Sequence, residues 1–211
     1  MTASMFARPG LAGIGRLVLV AIAAFSLTAC GINSIPTAEE NAKAKWADVQ
    51  SNLQRRADLI PNLVATVKGA AASETQILTQ VTEARAKATS INVTTNDLSD
   101  PETFQKFQAA QNQLTQALGQ LRTVVEAYPQ LQSQETFKGL MFELAGTENR
   151  LNTSRLRYNE AVQAYNTEIR TFPSIIGAKI IYGSKPMIPF EAAPGAEKAP
   201  DVNFDAPAPK G

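Results

Sequence analysis

The chain of 211 residues contains no histidine and a single cysteine, Cys30. The first absence excludes Ser-His-Asp and Cys-His catalysis, imidazole zinc sites and the Glu-x-x-His di-iron pattern that some helical bundles carry. The second excludes an intrachain disulfide. Charge of one sign is also lacking: 20 Lys and Arg stand against 19 Asp and Glu. Nucleic acid is therefore not an expected partner, since phosphate binding needs clustered cations. No motif for a cofactor, a metal or a small-molecule substrate is evident. Aromatic residues make up only 7%, yet the hydrophobic fraction of 44% is ample for a core. The length fits one domain, or one domain plus a targeting segment.

What is present is a long apolar seam over residues 46–91. Numbered as a heptad, its a positions are Trp46, Leu53, Ile60, Val67, Glu74, Val81 and Ala88. Its d positions are Val49, Arg56, Leu63, Ala70, Ile77, Ala84 and Ile91. All but Arg56 and Glu74 are apolar, and Ala57, Val64, Ala71 and Leu78 widen the seam to the stripe of a helix buried in a bundle. One helix over this stretch would run about 68 Å at 1.5 Å per residue. It cannot bury its own stripe, so the rest of the chain is expected to cover it.

The first thirty residues read as a secretion signal. Arg8 and Arg16 supply a basic flank, residues 17–29 an uncharged and mostly apolar run, and small residues precede Cys30. That run is shorter than the roughly 20 residues a spanning helix needs. Leu27-Thr28-Ala29-Cys30 resembles the lipobox of bacterial lipoproteins. The resemblance implies that the signal is cut before Cys30 and the cysteine acylated, palmitate included, with several chains making a lasting attachment. Gly31 follows where an aspartate resembles an inner-membrane retention signal, so an outer membrane is favoured if the cell has one. The expected divisions are a lipoprotein signal peptide over 1–29, a lipidated tether over 30–38, a helical bundle over 39–182 and an extended Pro- and Gly-rich tail over 183–211.

Within the bundle, Thr37 is a plausible cap for a first helix that kinks at Pro61 and ends near Ser90. Pro61 cannot donate to the carbonyl of Ala57. A second helix opens at Asp100-Pro101-Glu102, carries the seam Phe104, Phe107, Gln111, Leu114, Leu118, Leu121, Val125 and Tyr128, and stops at Pro129. A third runs from about Ser133 to Thr171, with Phe137, Leu144, Leu151, Tyr158 and Tyr165 on its seam. Residues 174–182, SIIGAKIIY, read as a short fourth helix. The fold class is thus all-α: an antiparallel up-and-down four-helix bundle of three long helices and a short fourth segment, plus the tail. Met187, Ile188, Phe190, Val202 and Phe204 are the tail's apolar points for packing back on it.

Unequal helix lengths leave Trp46, Val49 and Leu53 on an apolar overhang beside the membrane, a candidate surface for a partner, for the tail or for lipid. Arg56, Glu74, Glu148 and Arg155 place charges on the seams. They are expected to pair across helices, as a polar layer that fixes register, or to escape at the seam edge. Asn62, Lys68, Asn149 and Asn159 read as local hydrogen-bonding groups, and Ser184-Lys185 lacks the context of a Ser-Lys nucleophile.

Several blocks occur in order: Lys45-Trp46-Ala47-Asp48-Val49-Gln50, Arg55-Arg56-Ala57-Asp58-Leu59-Ile60-Pro61-Asn62-Leu63-Val64, Glu126-Ala127-Tyr128-Pro129, Thr147-Glu148-Asn149-Arg150, Tyr158-Asn159-Glu160-Ala161-Val162, Tyr165-Asn166 and Phe172-Pro173. Together they resemble the signature blocks of the LemA family over roughly residues 38–205. The resemblance implies an antiparallel four-helix bundle held at a bacterial membrane, mostly outside the cytoplasm, and no established reaction. The Cys30 lipobox departs from the signal-anchor helix of many relatives. The expected function is a membrane-anchored envelope lipoprotein, a non-enzymatic scaffold or adaptor that binds other envelope proteins or itself and is attached to the membrane through lipid on Cys30. The competing reading is a hydrolase of peptidoglycan or lipid using carboxylates such as Glu148 and Glu74, which requires both in an open groove.

Overall fold

The computed structural model describes residues 11–192, with side chains from Asn33 onward except that of Ala70. The Cys30 side chain, the first ten residues of the expected signal peptide and the tail beyond residue 192, with Val202 and Phe204, lie outside the described residues. Helix is the regular structure of the described residues, with no strand among them. No helix among them is long and apolar enough to cross a membrane.

The first helix, α1, spans Leu11–Ala70. It begins well before residue 39, so the expected tether over 30–38 is helical. Thr37 does not cap it. Its Oγ1 instead donates back to the carbonyl of Asn33 at 2.9 Å, a bond made inside a helix. Pro36 is carried within the helix too, against an interior proline cost of about 3 kcal/mol. What offsets it is docking: Ile35 and Ala42 are fully buried, and Ser34 donates to Glu168 across the interface.

Residues 46–91 do not form one helix. After Ala70 the chain turns, and α2, Thr75–Ser90, runs back along α1. Trp46 Nε1 donates to the carbonyl of Val93 at 3.2 Å, and Arg85 Nε to that of Ala57 at 2.7 Å. The reason lies in the stripe between Val67 and Ile77, which offers only alanines and the charged Glu74. A straight continuation would bury little there, whereas the reversal buries Leu78, Val81, Ala84 and Ala88. With the long helix folded in two, the expected overhang disappears. α2, not the segment after residue 173, supplies the extra long helix.

The 3₁₀ turn Asp97–Ser99 leads to α3, Pro101–Glu126. Asp100 caps α3 as expected, accepting from the Glu102 amide at 3.2 Å. α3 ends just before Pro129, as expected, and Pro129 also opens the short α4, Pro129–Gln132, at the first-turn position where its missing N–H costs least. α5, Glu135–Glu168, runs antiparallel to α1, with Arg55 meeting Glu143 and Ser34 meeting Glu168. α6, Ser174–Gly177, continues as a π-helical turn, Ala178–Tyr182, so this segment is helical as expected.

Residues 183–192 have no regular structure but are strapped to the helices. The side-chain amides of Asn166 and Asn159 each bond both ways to the backbone, Asn166 to Met187 at 2.8 and 2.9 Å and Asn159 to Phe190 at 2.9 and 2.8 Å. Asn159 therefore serves the tail, not a kink at Pro61. Met187 is buried, and Phe190 packs against Trp46 at 6.0 Å between ring centroids.

Candidate functional site

The interior divides into two apolar clusters. The lower surrounds Trp46 with Ile35, Phe104, Tyr158 and Met187; the upper gathers Ile60, Leu121, Leu131 and Phe137. Between them each of three helices contributes one polar residue. Arg56 lies between Leu53 and Ile60 on α1, Gln111 between Phe107 and Leu114 on α3, and Glu148 between Leu144 and Leu151 on α5. Heptad spacing places them at one level, and the structure joins them.

Arg56 is the hub. Its side chain is 1% exposed, and Nη1 donates to Glu148 Oε1 at 3.1 Å and to Thr115 Oγ1 at 3.2 Å. Nη2 donates to Gln111 Oε1, and Gln111 Nε2 passes a bond on to the carbonyl of Ala88 at 3.2 Å on α2. One guanidinium thus ties α1 to α3 and α5, and through Gln111 to α2. Of the four seam charges Arg56 and Glu148 pair across helices, with a geometry that suits a device fixing register.

Arg155 belongs to the same neighbourhood without sharing the ion pair. Its guanidinium carbon lies 5.0 Å from the centre of the Phe190 ring, and no partner meets its buried Nε. Burial foremost, and then the positive charge of Arg56, push its pKa down to about 10, against the opposite pull of Glu148. Glu74 is elsewhere. It stands at the start of α2 and accepts from the hydroxyl of Tyr128 at 2.8 Å. Helix rise from Arg56 to Ala70 puts that turn about 21 Å from the polar layer. The two carboxylates do not share a groove and cannot act as an acid and base pair on one substrate. Among the described residues no group of three or more Cys, Asp or Glu side chains is placed to hold a metal ion.

Trp46 and Val49 are not a surface. Trp46 is 1% exposed and Val49 fully buried; only Leu53 is partly open. The reversal of α2 and the strapped tail cover the place where the overhang was expected. Phe104, Phe107, Tyr158 and Phe190 enclose the indole at 5.3 to 6.0 Å between centroids. Burial pushes the Tyr158 phenol up, and its hydroxyl donates to the carbonyl of Ile188 at 3.0 Å. Leu53 lines a shallow cleft of about 360 Å³ between α1, α2 and α3, whose floor is Trp46, Ala57 and Phe107.

The exposed apolar positions lie elsewhere and were not evident from periodicity. Phe142 is 84% and Leu156 60% exposed on α5. They fall on one outward face with Ala145, Asn149 and Asn152, all exposed, at alternating spacings of three and four. The signal was available: this second stripe runs alongside the buried one and lacks charge. A second exposed group, Phe172, Ile176, Ile180, Ile181 and Tyr182, follows α5.

Comparison with known proteins bears on this arrangement. The model of the LemA family matches residues 45–204. Two magnetosome proteins of Paramagnetospirillum magneticum, MamQ 1 and MamQ 2, are each 30% identical over 172 residues, covering 74% of this chain and 63% of their own. Magnetosome protein MamQ of Magnetospirillum gryphiswaldense is 29% identical over 157 residues, 67% of this chain and 58% of its own. The chain therefore spans less than two thirds of the length of these relatives.

Proposed function

Since this chain belongs to the LemA family, we propose that it is a membrane-anchored lipoprotein of a bacterial envelope, acting as a non-enzymatic scaffold or adaptor for other envelope proteins. The observation that carries this reading is the Arg56–Glu148 pair. The carboxylate best placed for interior chemistry is held at 3.1 Å by a guanidinium that also secures α3, and the second candidate, Glu74, is engaged at the far turn. Such an interior serves to hold shape. The MamQ relatives are named for a body, the magnetosome, and not for a reaction.

In this reading α1, α2, α3 and α5 form an antiparallel four-helix bundle, with the strapped tail closing its lower end. Acyl chains on Cys30 attach it to the membrane, the outer membrane where the cell has one, and α1 leads directly from that residue into the bundle. Partners dock on the outward face of α5 through Phe142, Ala145, Asn149, Asn152 and Leu156. Its three-and-four spacing suits a single helix of an envelope protein.

Two experiments test the proposal. Metabolic labelling with a lipid precursor should mark the chain and fail to mark Cys30→Ala. A photocrosslinker placed at Phe142 or Leu156 in intact cells should capture an envelope protein, while one at exposed Lys87 on α2 should not. Equal capture from all three positions, or none from α5, removes the α5 face as the docking site.

A further inference from the structure

The group of exposed side chains after α5 has no role in the scaffold just proposed. Its location is fixed by Glu168, which accepts hydrogen bonds from Ser34 on α1 and from Ser174 at the start of α6. Residues 169–182 are thereby pinned beside the part of α1 that leads back to Cys30. At this end Phe172 is 79%, Ile176 50%, Ile180 78%, Ile181 59% and Tyr182 42% exposed.

The packing of this segment is inverted relative to a helix that docks on a core. The residues turned inward are the small ones, Ser174, Gly177 and Ala178, while Ile175 is half-buried and Phe172, Ile176, Ile180 and Ile181 face out. An ordinary surface helix does the reverse. Contiguous large apolar side chains on a surface mark a contact with another apolar phase. The charge around them is equally one-sided. From Ile169 to Phe190 there is no Asp or Glu, while Arg170, Lys179 and Lys185 are all exposed.

We propose that residues 170–185 form a bilayer-docking face, in which Phe172, Ile176, Ile180 and Ile181 enter the boundary between headgroups and acyl chains and Arg170, Lys179 and Lys185 meet anionic lipid phosphates. Three observations select lipid over a second copy of the chain. The face lies beside the part of α1 that leads back to Cys30, the proposed point of attachment. Its cations would repel one another across a two-fold axis. Tyr182, with an apolar ring and a polar tip, is suited to the interfacial layer. The inference rests on the proposed attachment through the N-terminal region and adds that the base of the bundle is seated in the lipid surface.

The test uses the full chain with vesicles of phosphatidylethanolamine and phosphatidylglycerol carrying brominated acyl chains, which quench indole fluorescence on contact. Two variants are compared, Ile181→Trp and Phe142→Trp, both at exposed positions and both checked for unchanged helical circular dichroism. Native Trp46 is enclosed and gives a constant background. Phe142 lies about 39 Å up α5 from Glu168 and serves as the control. The emission added by Ile181→Trp should fall about twofold or more on bromination, as for an indole in the interfacial layer, and that added by Phe142→Trp should not change. A chain that floats with the vesicles while Ile181→Trp stays unquenched overturns the docking face and leaves the attachment standing. A chain that does not float overturns both.

Discussion

Arg85 of α2 donates its Nε–H to the main-chain carbonyl of Ala57 on α1 at 2.7 Å. That carbonyl is the acceptor four residues before Pro61, the one for which a proline offers no amide. A side chain from the neighbouring helix thus completes a backbone position that the local sequence leaves open. Helix continuity through Pro61 and the packing of α2 on α1 are coupled there.

The coupling is measurable. Arg85→Met should destabilise by about 1 to 2 kcal/mol, the cost of leaving a buried carbonyl unpaired. In a Pro61→Ala background the new amide can take the same acceptor, and the cost of Arg85→Met should shrink to a few tenths. Urea denaturation of the four proteins gives the interaction energy; strict additivity would show that the arginine and the new amide do not compete for that carbonyl.

The polar layer predicts a ranking among its charges. Arg56→Met leaves Glu148 without its cation and empties the centre of the network, and should cost about 3 kcal/mol. Arg155→Met removes a cation that is disfavoured by burial and by its neighbour Arg56, so the melting temperature should hold or rise. Differential scanning calorimetry separates the two, and a larger loss from Arg155→Met would contradict the assignment of Arg56 as the hub.

The tail strap predicts a local effect. Asn159→Ala and Asn166→Ala each delete two bonds to residues 187–190, each bond contributing about 1 kcal/mol. Amide exchange at Met187 and Phe190 should accelerate at least about tenfold in each variant, since 1.4 kcal/mol is one decade in an opening equilibrium. Amides in the middle of α3 should change far less. Uniform acceleration throughout the chain would mean that the tail is part of the global core.

A pH dependence follows from Glu168. Its carboxyl is held below the ordinary value of 4.5 by the hydroxyl of Ser174 first and that of Ser34 second, against a smaller opposing effect of burial. The folded state therefore favours the ionised form. Its stabilisation is complete above the ordinary value and is lost as pH falls through the depressed one. Between pH 6 and pH 3 the melting temperature of the native chain should drop further than that of Glu168→Gln. Parallel curves would remove this carboxylate from the acid response.

How much of this was legible in the sequence differs by element. Apolar positions at three-and-four spacing identified the helices and nearly all of the core, because burial imposes that period directly. Asp100-Pro101-Glu102 located a helix start to the residue, since the cap is a local bond. The reversal after Ala70 was hidden because Val67 and Val81 keep the heptad phase on either side of it, and no glycine or proline occupies residues 71–74. The same misreading put Trp46 on an overhang open to a partner, the tail or lipid; of these it is the tail, through Phe190, that covers it, together with the folded-back α2. The expectation that Arg56 pairs across helices was readable, for an unpaired cation at a buried seam is costly. Its partners were less so: Glu148 was on the seam, while Glu74, equally placed by the heptad, was carried away by the turn. The tail strap depends on Asn159 and Asn166 two helical turns apart, a spacing that gains meaning only once an extended segment lies across it.

The unbroken course of α1 through Pro36 has a mechanical meaning. A leash of loose residues would let the body drift and tilt; a rod does not. Counted from Cys30, the level at which Asn52 and Arg55 meet α5 stands about 33 to 38 Å along that rod. With the proposed lipid on Cys30, whatever grips the outer face between Phe142 and Leu156 would be held at one altitude above the bilayer, so the molecule would set a standoff distance as well as an address.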